Sequence, residues 1–221
     1  MTTHSPQLST GEIYHVYNRT IGKEDVFVSR RNLSKFIEII NYYRFNQSFR
    51  LSKFLSLPYQ IQQEILLSRE NKKPIVEIFA FSFMPNHFHF LIKQNKNKGI
   101  AYFISNIENS FAKYYNLKFN RVGGLFQSSF KAKHIQTTEQ FIHVSRYIHL
   151  NPVTSKLIEF ERLTNYPWTS FSWYVNGNNN MFILKEYILN HFKLIERYIK
   201  FVKNQANYQR TLKEIRNLLL D

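Results

Sequence analysis

Two histidines stand one residue apart in the stretch MPNHFHFLIK, at His87 and His89. In a β-strand, residues i and i+2 share a face. The two imidazoles would therefore stand side by side, with Phe88, Phe90 and Ile92 turned the other way. Such a pair is a pincer for a divalent metal, because imidazole suits several such ions. It is also what the wetter side of a half-buried strand looks like. A third ligand and a reactive group elsewhere in the chain would separate the two readings.

The segment TTEQFIHVSRYIHLNP, residues 137–152, offers both. Thr137 and Gln140 have the spacing of a helix capping box. Phe141, Val144 and Ile148 form an apolar stripe, while Gln140, His143, Tyr147 and Asn151 fall on a second face at spacings of three and four. Pro152 is expected to end this helix at Asn151. A tyrosine phenol can attack a phosphodiester and become covalently attached. Its ordinary pKa of about 10 means that it needs activation at neutral pH. A divalent metal held by His87, His89 and Asn151 would polarise the phosphate from the other side. With Mg²⁺ or Mn²⁺, open positions remain for phosphate and water. All of this requires the helix to lie over the histidine strand.

Other candidates are weaker. His143 shares the Tyr147 face and reads first as a solvated or structural histidine, and His149 reads as surface. His15 and His134 are strand histidines with no spacing argument. Glu77 could orient a ligand histidine or form an edge salt bridge. Arg19 suits a phosphate contact or plain surface.

The elements that must position these residues follow from periodicity. GEIYHVYNRT (11–20) reads as a strand, and residues 29–45 as a helix with Leu33, Phe36, Ile37 and Ile40 on its apolar side. Residues 47–73 read as an insertion holding a short helix at 58–69. Two strands, 75–83 and 87–93, join across Met84-Pro85-Asn86, where Pro and Asn suit a turn. Residues 100–118 read as a helix. Gly123-Gly124 break the pattern, and LFQSSFKAKHI resumes as a strand. The order predicts an α+β fold, a mostly antiparallel sheet with packed helices. Residues 9–175 form one domain, with a helical C-terminal extension at 176–221.

Charge narrows the partner. Thirty Lys and Arg residues stand against fifteen acids, a formal net charge of +15. From Ile78 to Thr138 the one acid is Glu108, while Lys93, Lys113, Arg121, Lys131 and Lys133 fall in the same span among many aromatics. That mixture suits phosphate contacts and base stacking, the needs of a single-stranded nucleic acid. Only two aspartates exist, Asp25 and Asp221, so a carboxylate-rich two-metal nuclease has little to work with. There is no cysteine, hence no disulfide, zinc-thiolate site or cysteine nucleophile. No apolar signal core or membrane-length stretch is present, and a soluble cytoplasmic protein is expected.

The stretches MPNHFHFLI, GGLFQSSF, YIHLNPV and YPWTSF, in that order, resemble the single-tyrosine HUH transposases, most of all the REP-associated tyrosine transposases. The resemblance covers roughly residues 9–175. It implies a ferredoxin-like HUH nuclease fold, with His87, His89 and Asn151 as ligands of Mg²⁺ or Mn²⁺ and Tyr147 as nucleophile. It implies nicking and strand transfer of single-stranded hairpin or repeat DNA through a 5′-phosphotyrosine. Arg19, Lys93, Lys113, Arg121, Lys131 and Lys133 are the expected DNA contacts. Thr154-Ser155 follow NPV where the family often has Arg-Ala, which bears on substrate choice. A non-catalytic hairpin-binding protein and a replication or mobilisation nickase stay open as alternatives, as do monomer and homodimer.

Overall fold

The structure, a computed structural model, describes residues 8–70, 72–176 and 182–205. The chain opens with strand β1 (Ile13–Arg19) and helix α1 (Arg30–Tyr43), then two short helices, α2 (Leu51–Leu55) and α3 (Tyr59–Glu70). Strands β2 (Val76–Met84) and β3 (His87–Gln94) form a hairpin across Pro85-Asn86. Helix α4 (Gly99–Phe119), strand β4 (Lys131–Ile135) and helix α5 (Thr138–Thr154) follow. The four strands make one sheet in the order β2-β3-β1-β4, every neighbour antiparallel. This is the expected ferredoxin-like arrangement.

Alternation along the strands gives the sheet two unlike faces. Phe88, Phe90 and Ile92 of β3, Val16 of β1 and Phe81 and Phe83 of β2 are all buried, and α1 and α4 pack over them. Phe36 of α1 is the hub. Its ring lies 4.8 Å from Phe27, 5.2 Å from Phe83, 5.9 Å from Phe88 and 5.0 Å from Phe111. Tilted and edge-on rings at such separations add to the area they bury. The opposite face carries His15, His87 and His89, and α5 lies there, with Phe141 edge-on to Phe79 at 5.0 Å.

The outer edge of β2 is closed by the chain beyond α5. Phe83 N–H donates to the Trp168 carbonyl, Ser170 N–H to Phe81 and Leu184 N–H to Ile78. An open strand edge would otherwise invite pairing with another chain. Three further helices, α6 (Phe171–Val175), α7 (Glu186–Leu189) and α8 (Ile195–Lys203), complete the described residues. The described part of the C-terminal segment contributes to the same core, since Tyr198 of α8 is fully buried. Residues 177–180 of the NGNNN stretch at 176–180, expected as a loop, and the tail from 206 onward lie outside the described residues.

Three local expectations are corrected. Helix α5 does not stop at Asn151 but continues to Thr154 with Pro152 inside. So near the helix end the ring forfeits one bond, and Ser155 N–H still donates to the Asn151 carbonyl. Strand β4 starts at Lys131, not Leu125. Residues 121–130 instead run as bends, with one isolated bridge from Phe126 to Thr20. His149 is fully buried rather than on the surface. Its Nδ1 lies 2.8 Å from the Tyr198 hydroxyl and its Nε2 2.8 Å from Ser170 Oγ, and burial pushes its pKa down to about 3. Among the described residues, no helix is long and apolar enough to cross a membrane.

The hub position makes a stability test simple. Phe36→Ala removes a ring that four others contact, and should cost about 3–5 kcal/mol. Urea unfolding followed by circular dichroism reads this directly; a midpoint unchanged from the parent would contradict the packing described.

Candidate active site

Antiparallel register gathers side chains from three strands onto the α5 face. Tyr17 of β1 pairs with His89 of β3, and Arg19 with His87. Lys131 and Lys133 of β4 pair with Tyr17 and His15. Helix α5 leans on β2 and less on β3, which leaves the β1–β4 side of this face uncovered. The result is a cleft of about 1180 Å³ whose lining includes His15, Arg19, His87, His89, Tyr147 and Asn151. Lys131 and Lys133 line it too, with Gln140 and Val144. The condition set by the sequence, that the tyrosine helix lie over the histidine strand, is met.

The start of α5 is held as its sequence predicts. Thr137 Oγ1 accepts from Gln140 N–H at 3.1 Å, and Gln140 Oε1 accepts in return from Gln136 N–H at 2.9 Å. The helix then presents Gln140, Val144, Tyr147 and Asn151 to the cleft at spacings of four, three and four. His143 is not among the cleft residues. It lies 2.7 Å from an Arg146 nitrogen and packs edge-on to Phe201, a structural role.

The two strand histidines are held alike. His87 Nδ1 lies 2.8 Å from the Asn86 side-chain amide oxygen. His89 Nδ1 lies 2.9 Å from His15 Nε2, and their rings stack at 5.1 Å. In each ring Nδ1 is engaged within the protein, so a metal bond would be made through Nε2. That is the usual arrangement of a ligand histidine, whose second nitrogen is oriented by a partner. Burial, above all, drives the pKa of His89 well below its ordinary value, with His15, His87 and Arg19 adding to it. Burial and then Lys133 bring His15 to about 4. Both rings are neutral at neutral pH, the state a ligand needs.

Tyr147 is 41% exposed, with its ring edge-on to His89 at 6.0 Å and to His15 at 5.7 Å. Asn151, one turn on, is buried, and its amide nitrogen Nδ2 has no hydrogen-bond partner. Leaving a buried polar atom unmade costs about 1–3 kcal/mol, so such an atom marks a place for a ligand. Rotating the amide exchanges oxygen and nitrogen, and would put a ligand oxygen where the orphan nitrogen stands. Among the described residues no three histidine, cysteine or carboxylate side chains are placed to hold a metal ion together. A metal held here would therefore draw on His87, His89 and the Asn151 amide, two nitrogens and an oxygen of kinds that suit several divalent ions.

Three expected DNA contacts lie elsewhere. Lys93 sits toward the far end of β3, opposite Glu77 and Ile13. Lys113 is exposed on α4, behind the sheet. Arg121 is engaged with Glu24 at 2.8 Å. The residue that sequence reasoning missed is His15. Its place two residues before Tyr17 puts it on the Arg19 face, but only strand pairing brings it to His89. Glu77, weighed as an orienting partner, is in register with Lys93, five positions along β2 from the Ser82 that faces His89.

The sequence profile of the family described as "Transposase IS200 like" matches residues 12–151. No curated protein matches the chain. Among solved structures, similarity extends to one described as "Structure of the REP associates tyrosine transposase bound to a REP hairpin". The TM-score is 0.52 at 14% identity, covering 80% of this chain and 86% of that one. At that identity the likeness speaks for the fold.

The neutral histidine pair predicts a pH window. The folded pKa of His15, about 4, lies below its ordinary 6.5, so the unfolded chain binds the proton more readily. The corresponding stability is complete above about 6.5 and is lost as the pH falls toward about 4. Nitrogen-resolved imidazole NMR should find His15 neutral at pH 6 with a midpoint near 4. A midpoint at the ordinary value would remove the buried pair.

Proposed function

The chain belongs to the IS200-like transposase family, and from that premise we propose that it cuts and rejoins single-stranded DNA through a covalent bond to Tyr147. The observation that carries this reading is one juxtaposition. An exposed phenol stands edge-on to the His15–His89 pair, in the cleft that also holds His87, Asn151, Arg19, Lys131 and Lys133.

The Tyr147 oxygen attacks a phosphorus of the strand. The new bond joins Tyr147 Oη to phosphorus, and the bond from phosphorus to the 3′ oxygen breaks. The phenol gives up its proton, and the leaving oxygen gains one to become a free 3′ hydroxyl. The 5′ phosphate stays on Tyr147, so a second 3′ hydroxyl can reverse the step without a high-energy cofactor. His87, His89 and Asn151 would hold Mg²⁺ or Mn²⁺, which when bound supplies positive charge at the phosphate oxygens. His15 fixes the orientation of the His89 ring, and Asn86 that of His87. Arg19, Lys131 and Lys133 draw the backbone into the cleft. Lys93, Lys113 and Arg121 are assigned to DNA beyond it.

The substrate proposed is a strand folded as a hairpin. The net charge of +15 supports it, as does likeness to a protein whose structure was solved with a REP hairpin. Phosphate contacts would position such a strand, and base contacts would select it.

The test is a denaturing gel. Full-length protein is incubated with Mn²⁺ and single-stranded hairpin oligonucleotides taken from the DNA flanking its own gene. A covalent adduct should form, vanish with chelator and be absent from Tyr147→Phe, while that variant keeps its affinity for the hairpin. Tight hairpin binding without any adduct would instead make the protein a hairpin-binding module with an unused nuclease site.

A further inference from the structure

Glu108 is the one acid between Ile78 and Thr138, in a chain with a net charge of +15. It lies on α4, in the wall of a second cavity of about 450 Å³, within the roughly 300–1,000 Å³ of small-ligand pockets. Ser105 and Asn109 line the same cavity from α4, and Gln127, Ser128 and Phe130 from the loop before β4. Gln127 lines the active-site cleft as well, so the two spaces adjoin. Asn18 stands between them: it lines the cleft and donates Nδ2 to Glu108 Oε1 at 2.7 Å and to the Gln127 carbonyl at 3.0 Å.

Glu108 is held by a neutral partner, Asn18, and by no cation among the described residues. Burial raises its pKa to about 7, against the Asn18 hydrogen bond. A carboxylate beside a groove for a polyanion repels phosphates, so it is out of place as a backbone contact. It is well placed against a base edge rich in N–H donors, because an ionised carboxylate only accepts. Guanine presents N1–H and N2–H₂ side by side. Adenine and cytosine present one amino group next to an acceptor, and thymine presents one N–H between two carbonyls. Unpaired bases are commonly splayed out and read on this edge, with aromatic side chains against their faces.

We infer that this second cavity receives an unpaired guanine of the bound strand, with Glu108 accepting from its N1–H and N2–H₂ and Phe130 at its wall. The inference rests on the single-strand reading above and deepens it. The base read there belongs to a nucleotide close to the phosphate at Tyr147, so Glu108 selects where the strand is cut.

The experiment measures base preference without needing the natural target. Full-length protein is titrated by fluorescence anisotropy with short labelled all-thymidine strands carrying one central guanine, adenine, cytosine or hypoxanthine. Guanine should bind about ten-fold more tightly than thymine, in line with a bidentate base contact. Hypoxanthine, which lacks the N2 amino group, should lose much of that gain. Glu108→Gln keeps an oxygen for Asn18 and preserves the fold, as circular dichroism can verify. It should erase the guanine preference while binding the all-thymidine strand as before. Equal affinity for all four bases, or a preference that survives in Glu108→Gln, would overturn the pocket and leave the single-strand reading intact. Failure to bind any strand would overturn both.

Discussion

A slip of β3 by one residue against β1 would exchange the two faces of the sheet. Phe88 and Phe90 would face the cleft, and His87 and His89 would be driven among the phenylalanines of α1 and α4. That exchange is the constraint on which everything else rests, because a strand has a period of two and no intermediate register exists. The core side prevents it. Phe88 and Phe90 are wholly buried, and Phe36, Phe83 and Phe103 surround them. Hydrophobic packing behind the sheet is therefore what aims the imidazoles in front of it.

The same economy extends to the protonation of the site. The rings of His15 and His89 are uncharged, and no hydroxide or strong acceptor is needed to make them so. Their position between a sheet and a helix does it, since burial disfavours the charged ring. The nearby cations Arg19 and Lys133 push the same way. The cations that line the cleft thus also keep these two imidazoles uncharged.

Much of this was legible in the chain. The hairpin could be read because β2 and β3 have strong periodic patterns and a Pro-Asn turn. Helix α5 could be read from its cap and its stripe, and Tyr147 and Asn151 from their spacing on one turn. The residues that escaped are those whose neighbours are distant in sequence. His15 and His89 are 74 positions apart and meet only through strand pairing. His149 was read as exposed because its face of α5 is polar in isolation; Tyr198, 49 positions on, covers it. The course of residues 125–130 escaped for another reason, since their one pairing is an isolated bridge from Phe126 to the distant Thr20. The burial of Glu108 against Asn18, 90 positions away, escaped too, because a single acid has no period at all.

The support behind α5 bears on synthesis. The helix that carries Tyr147 and Asn151 turns His149 to the rear, where the Tyr198 hydroxyl and Ser170 hold it. A ribosome delivers these parts in order, the sheet and α5 before α8. Until α8 arrives, the buried imidazole lacks one partner and α5 lacks its backing. A chain made only as far as α5 can thus own every residue that lines the cleft and still hold them loosely. The cleft gains its rear support only once α8 has followed.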